Sequence, residues 1–163
     1  MKLTLIITTY NWPESLLLVL ESVKSQSIIP NEIIIADDGS SNKTKHLISN
    51  FKKKSNLNIL HLWQEDIGFR AARSRNNALF KSSGDYIILI DGDVILHNDF
   101  IYDHLNNAEP GYFIQGSRTL LTKEKTKITL INKKIKFSLF SSGLKNRFNS
   151  IHSNILSKIF TSK

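Results

Sequence analysis

A chain of 163 residues and 18.6 kDa has the length of one domain with a real core, and 40% hydrophobic with 22% charged residues fits a soluble globular protein. It has no cysteine, which excludes disulfides, thiolate metal sites and cysteine nucleophiles. The formal net charge of +8 is unevenly held: residues 1–117 carry eleven basic and thirteen acidic side chains, whereas residues 118–163 carry eleven basic ones and Glu124 alone.

The apolar-leaning stretch after Met1-Lys2 breaks at Thr8-Thr9-Tyr10-Asn11, too early for a signal peptide. The longest apolar runs fall far short of the ~18 residues of a membrane span. The chain therefore reads as soluble, unexported and cytoplasmic.

Lys2 to Thr8 reads as a buried strand, and Pro13 suits the first turn of a helix with the stripe Leu16, Leu17, Leu20 and Val23. Ile33-Ile34-Ile35-Ala36 is a second strand, ended by the turn signal Asp37-Asp38-Gly39-Ser40-Ser41. A helix over about 42–53 and a strand over 58–62 follow, then a helix over 68–81. Tyr86 to Ile90 is the most apolar strand and stops at Asp91-Gly92-Asp93, with Asp99 and Asp103 on a surface helix beyond it. Strands alternating with helices, each strand continuously apolar, predict an open, mostly parallel α/β sheet with helices on both faces. Further on, residues 111–116 suggest another strand, and Leu144, Phe148, Ile151, Ile155 and Ile159 form a helical apolar stripe.

Ligands of open α/β sheets bind beyond the carboxyl ends of the strands. The clusters after the first, second and fourth strands all fall on that edge. Asp91 and Asp93, one residue apart after a buried strand, can both approach one hard cation, Mg²⁺ or Mn²⁺, able to neutralise a diphosphate. Asp37-Asp38-Gly39-Ser40 reads either as an Asx turn or as a carboxylate accepting the N–H of a pyrimidine base. Arg70, Arg73 and Arg75 form either a solvated basic face or a clamp on phosphates or base. His46 and His61 read as ordinary surface or strand-edge histidines. No G-x-G-x-x-G, P-loop or G-x-S-x-G motif is present.

Ile7-Thr8-Thr9-Tyr10-Asn11, Ala36-Asp37-Asp38-Gly39-Ser40-Ser41, Gly68-Phe69-Arg70 with Arg75-Asn76, and Ile90-Asp91-Gly92-Asp93 resemble the successive signatures of family 2 inverting glycosyltransferases. The 63–70 and 111–118 segments resemble in particular the donor domains of chondroitin-type polymerases and lipopolysaccharide or capsule enzymes. The resemblance implies a GT-A, Rossmann-like fold binding a UDP-sugar with Mn²⁺ or Mg²⁺. It implies that Thr8, Tyr10 and Glu14 line the nucleotide pocket, that Asp37 contacts the uracil, and that Arg75 faces the base or diphosphate. Asp38, Arg70 and Gly92 belong to the same implied pocket. Asp91 is implied near the ribose and metal, and Asp93 on the metal. The acceptor implied is a glycan or lipid-linked glycan of the bacterial surface.

The resemblance covers residues 3–120. Family members usually continue with an acceptor half and a catalytic-base carboxylate, and nothing in residues 119–163 matches these. The expected organisation is a nucleotide-sugar-binding domain over 1–120 and a basic, partly helical tail over 121–163, the remnant or start of an acceptor half. The chain is then either truncated after the donor half or completed by another polypeptide, and no catalytic base is assigned. A non-catalytic nucleotide-sugar-binding module is the main alternative. A phosphoacceptor receiver domain fits less well, because its acidic pair follows the first strand, and a nucleotidyltransferase lacks its glycine-rich loop here. The tail lacks the interleaved aromatics of a nucleic-acid binder. The tail reads as a truncated, poorly packed end, as a segment in peripheral contact with the inner face of the cell membrane, or as a helix packed on its own domain.

Overall fold

In the computed structural model, which describes residues 1–150, the chain forms two compact units, Met1–Tyr112 and a second starting at Phe113. The first unit runs β1 (Leu3–Thr9), α1 (Pro13–Lys24), β2 (Glu32–Asp37), α2 (Asn42–Lys54), β3 (Ile59–Trp63), α3 (Ala71–Lys81), β4 (Tyr86–Asp91) and α4 (Phe100–Asn107). Its strands make one parallel sheet in the order β3-β2-β1-β4.

Alternation of side chains along each strand divides the core into two layers. Leu3, Leu5 and Ile7 of β1, with Ile33, Ile35, Ile59 and Ile88, pack against Leu16, Val19, Leu20 and Val23 of α1, Ile48 and Phe51 of α2, and Ile101 of α4. Ile6, Ile34 and Ala36 face the other way and meet Ala78 of α3, with Leu62 and Ile87 beside them. Both faces of β1 are thus covered, which explains why all seven of its residues are buried.

The strand order explains the two layers. From β1 the chain steps to β2 and on to β3, then returns to place β4 on the other side of β1. Crossovers of a single hand put α1 and α2 on one face during the outward steps and α3 on the opposite face during the return. Between β1 and β4 the direction of progression reverses, which is where such sheets open a crevice at their carboxyl edge.

The second unit contains a two-residue pairing of β5 (Leu120–Leu121) with β6 (Leu144–Lys145), the helix α5 (Lys123–Asn132), and a 3₁₀ turn at Arg147–Ser150. The Thr122 hydroxyl caps α5 by accepting the Lys125 N–H at 3.2 Å.

Three local expectations are corrected. Residues 111–116 form no strand: Tyr112 and Phe113 are 72% and 87% exposed, and among the described residues no neighbouring strand supplies a ladder for them. The helix expected from Gly68 begins at Ala71, because Gly68 takes a φ of +71° and ends any helical path there. Leu144 lies in β6 and Phe148 in the 3₁₀ turn, so the apolar stripe does not start as one helix, and Ile151, Ile155 and Ile159 lie outside the described residues. Among the described residues, no helix is long and apolar enough to cross a membrane.

Candidate functional site

The parallel register sets the site. Thr8 stands beside Asp91 and Thr9 beside Asp37, so three strands deliver polar groups to one edge of the sheet. The backbone ties the ends together: the Asp38 N–H donates to the Thr9 carbonyl at 3.1 Å, and the Gly92 N–H to the Thr8 carbonyl at 2.7 Å. A side chain at Gly92 would put its Cβ 2.9 Å from that same carbonyl, so the glycine between the two aspartates allows the close approach.

Asp37 is fully buried, and both of its oxygens are engaged. One accepts the Ser40 N–H and the other contacts His61 Nε2, each at 2.8 Å. Asp37 closes the Asp38-Gly39-Ser40 turn. His61, expected to be an ordinary strand-edge histidine, is instead its partner. Asp38 is 3% exposed and bridges two loops, accepting from the Gln64 side-chain amide and, at 2.8 Å, from the Arg70 N–H.

The loops after β1, β2 and β3 form one hydrogen-bonded layer. The Asn11 N–H donates to Ser40 Oγ and the Ser41 N–H to Asn11 Oδ1, each at 2.9 Å. Trp63 Nε1 donates to the Ser40 carbonyl at 3.0 Å, and the Tyr10 hydroxyl to Asp66 Oδ2 at 3.0 Å. Gly39, with a φ of +97°, brings the turn so near this layer that a Cβ there would lie 2.6 Å from Asp66 Cα.

Arg75 of α3 bridges the switch point. Its Nε donates to Thr8 Oγ1 at 3.0 Å and its Nη2 to Asp91 Oδ1 at 2.9 Å. Arg70 turns its guanidinium to the Glu65 carbonyl, while Arg73 is exposed on α3. Thr8, Tyr10, Asp37, Asp38, Arg70, Arg75, Asp91 and Gly92 thus gather along one edge. Glu14, exposed in the first turn of α1, stands apart from this hydrogen-bonded set.

The donor chemistry suits a hard divalent cation in one specific way. Among the described residues, no three acidic or histidine side chains converge to hold a metal by themselves. Asp91, with 51% of its side chain exposed, and Asp93, also exposed, offer two carboxylates on one tight turn. Mg²⁺-type ions are commonly held by one or two carboxylates, with a substrate's phosphate oxygens and water completing the shell. The pair fits a cation that arrives with a diphosphate.

A parallel sheet clad on both faces, with carboxylates and an arginine gathered at its switch point, defines an α/β protein of the GT-A, Rossmann-like class. The chain belongs to glycosyl transferase family 2, whose model matches residues 4–160.

Comparison with known proteins agrees. The O-antigen chain rhamnosyltransferase RfbN of Salmonella typhimurium is 39% identical over 101 residues, 59% of this chain and 29% of that protein. The GalNAc(5)-diNAcBac-PP-undecaprenol beta-1,3-glucosyltransferase of Campylobacter jejuni is 28% identical over 123 residues, 76% of this chain and 40% of that protein. The chain therefore spans well under half the length of these two relatives. Among solved structures, a mannosyltransferase from Pyrobaculum calidifontis in complex with GDP-Man and Mn²⁺ superimposes with a TM-score of 0.60 at 21% identity, covering 67% of this chain and 33% of the other. That likeness concerns the fold. Residues 1–349 of TarS from S. aureus, in complex with UDP-GlcNAc, superimpose with a TM-score of 0.52 at 25% identity, covering 65% of this chain and 30% of the other.

Proposed function

We propose that residues of the first unit bind a UDP-sugar together with a divalent cation, Mn²⁺ or Mg²⁺, as the donor half of an inverting hexosyltransferase that builds a bacterial surface polysaccharide or lipopolysaccharide. The observation that carries this reading is the Thr8–Arg75–Asp91 bridge across the switch point. A guanidinium and a carboxylate side by side on that edge support the roles of phosphate ligand and metal ligand for a nucleoside diphosphate. The TarS complex with UDP-GlcNAc supports uridine, and the relatives named for O-antigen and undecaprenol-linked chains support a surface-glycan acceptor.

In this reading Asp91 and Asp93 hold the cation, and Arg75 turns from Asp91 to the diphosphate as the ligand enters. The bound cation supplies Lewis-acid stabilisation of the leaving diphosphate. Tyr10, with the loop layer around it, holds the nucleoside, and the buried Asp37 and Asp38 fix the turn and loops that shape that layer. The basic residues 118–163 support peripheral contact with an anionic membrane face, near a lipid-linked acceptor.

Calorimetry with UDP, GDP and ADP, each with and without Mn²⁺, tests the assignment. Selective, Mn²⁺-enhanced binding of UDP is expected, and equal binding of all three, or none, overturns it. A second reading, a nucleotide-sugar-binding module without transfer activity, is favoured by one observation: residues 118–163 hold Glu124 as their sole acidic side chain. A UDP-sugar hydrolysis assay separates the two.

A further inference from the structure

At the C-terminal end of α1 lie two buried polar side chains that the binding scheme leaves unused. Ser22 is 0% exposed and Gln26, just past the helix end, is 7% exposed. Most buried polar side chains are hydrogen-bonded, and here most of the partners lie on a segment more than 70 positions away. Ser22 Oγ donates to the Val19 carbonyl at 2.7 Å and accepts the Leu96 N–H at 3.0 Å. Gln26 Oε1 accepts the Ile101 N–H at 3.0 Å, and its Nε2 donates to the His97 carbonyl at 2.6 Å and to the Ser22 carbonyl at 3.1 Å. The Ser27 N–H adds a bond to the Asn98 carbonyl at 2.9 Å.

The four bonds that reach beyond α1, to Leu96, His97, Asn98 and Ile101, fall on the stretch that follows Asp91-Gly92-Asp93. On its upstream side that turn is pinned by the Gly92 N–H on Thr8 and closed by the Val94 N–H on the Asp91 carbonyl at 3.2 Å. On its downstream side, Leu96, His97, Asn98 and Ile101 are fixed to the end of α1. Asp93 therefore sits on a short span anchored at both ends, although its own side chain is exposed. Two ligands of one cation must be held to a fraction of an ångström, and rigid partners of the ligand-bearing backbone supply that precision.

We infer that Ser22 and Gln26 are positioning residues for the cation-binding turn: they fix the 96–101 segment so that Asp93 is presented beside Asp91. The inference rests on the proposed role of Asp91 and Asp93 as cation ligands. It adds that the geometry of that pair is set from α1, on the sheet face away from α3.

The experiment compares the 163-residue chain with its Ser22→Ala, Gln26→Met and Gln26→Glu variants by calorimetry with UDP, in EDTA and in Mn²⁺. Thermal unfolding is followed in parallel. Val23→Ala, a core truncation on the same helix that leaves every bond to the 96–101 segment in place, serves as the control for lost stability alone. The expected result is that Ser22→Ala and Gln26→Met lower the Mn²⁺ enhancement of UDP affinity about fivefold or more, with affinity in EDTA unchanged. Gln26→Glu, which keeps the acceptor for Ile101, retains part of the enhancement, and Val23→Ala retains all of it. Full enhancement in both Ser22→Ala and Gln26→Met, whatever their melting temperatures, overturns the positioning role alone. Absence of any Mn²⁺ enhancement in the unmodified chain overturns the cation reading itself, and the inference with it.

Discussion

Arg75 and Asp91 are joined at 2.9 Å across the gap between α3 and the end of β4, and the same guanidinium holds the Thr8 hydroxyl at 3.0 Å. Both side chains are well exposed, at 38% and 51%. A pair so solvated contributes only about 0–1 kcal/mol to folding. Its value lies in a charge held ready for a ligand.

Arg75→Ala should therefore leave the melting temperature almost unchanged while weakening UDP binding about tenfold or more, the loss of one charge-assisted contact worth roughly 1.5–3 kcal/mol. Arg75→Lys should recover part of the affinity, since an ammonium cannot reach Thr8 and a phosphate in the same forked geometry. Calorimetry beside thermal unfolding checks both. A variant that unfolds early yet binds UDP normally would mark the bridge as structural.

Asp93→Ala should abolish the Mn²⁺ enhancement of UDP binding and barely alter apo stability, within about 0.5 kcal/mol, because the side chain is exposed. Asp37→Ala should behave in the opposite way. It removes a fully buried carboxylate from Ser40 and His61, leaves both unpaired, and is expected to cost about 3 kcal/mol in denaturant unfolding.

Gly39→Ala is expected to destabilise the chain by at least about 2 kcal/mol, through strain at positive φ together with the clash on Asp66. It should also loosen the loop layer that carries Tyr10. Denaturant unfolding measures the first effect, and near-ultraviolet circular dichroism of Tyr10 and Trp63 the second.

The parts of this molecule legible in its sequence are those set by short-range patterns. β1, β2 and β4 are continuous apolar runs, and each ends in a polar cluster that the sheet then aligns. What escapes is set by register. His61 meets Asp37 only because β3 lies parallel to β2 with Ile35 opposite His61 and Asp37 opposite Trp63, and no local pattern contains that pairing. Gln26 escapes for the same reason, as its partners arrive from beyond β4. The failure at residues 111–116 is the converse: Tyr112, Phe113 and Ile114 favour extended backbone locally, but a strand needs a neighbour. The capping threonine of α5 followed by Glu124 in its first turn was a readable helix start, obscured by the surrounding lysines.

His104 of α4 provides a pH-dependent contribution to stability. It is 8% exposed, its Nδ1 lies 2.9 Å from the Tyr86 hydroxyl, and Phe100 meets it edge-on at 4.6 Å. Burial pushes its pKa below the usual 6.5, against a smaller upward pull from Asp103. A histidine whose value is lower in the folded state binds fewer protons there than in the unfolded chain. Stability is therefore fully present above about pH 6.5 and is lost as the pH falls below it. His104→Phe should flatten the stability profile between about pH 5 and 7, a range set by the ordinary histidine value. An unchanged acid slope in that variant would assign the dependence to other groups.

The chain by itself should transfer sugar to an acceptor poorly, even where it binds and slowly hydrolyses a UDP-sugar. An inverting transfer needs a base to take the proton from the acceptor hydroxyl, and Glu124, the sole carboxylate side chain of residues 118–163, sits in the first turn of α5. Asp99 and Asp103 follow the cation turn in sequence, but Asp99 stands at the N-cap of α4 and Asp103 in its first turn. There they favour the helix dipole as much as any chemistry. The chain also spans only 29% and 40% of the two relatives compared, which carry further residues in which an acceptor site can lie. Hydrolysis is expected to survive Asp99→Asn and Asp103→Asn and to fail in Asp93→Ala. Transfer is expected to rise when acceptor-binding residues of the kind the longer relatives carry are supplied, on the same chain or on another. Assays with radiolabelled UDP-sugars and a lipid-linked glycan, scored separately for free sugar and extended glycan, distinguish these outcomes. Rapid glycan extension by the 163-residue chain, lost on Asp99→Asn or Asp103→Asn, would place the base on α4 and overturn the expectation.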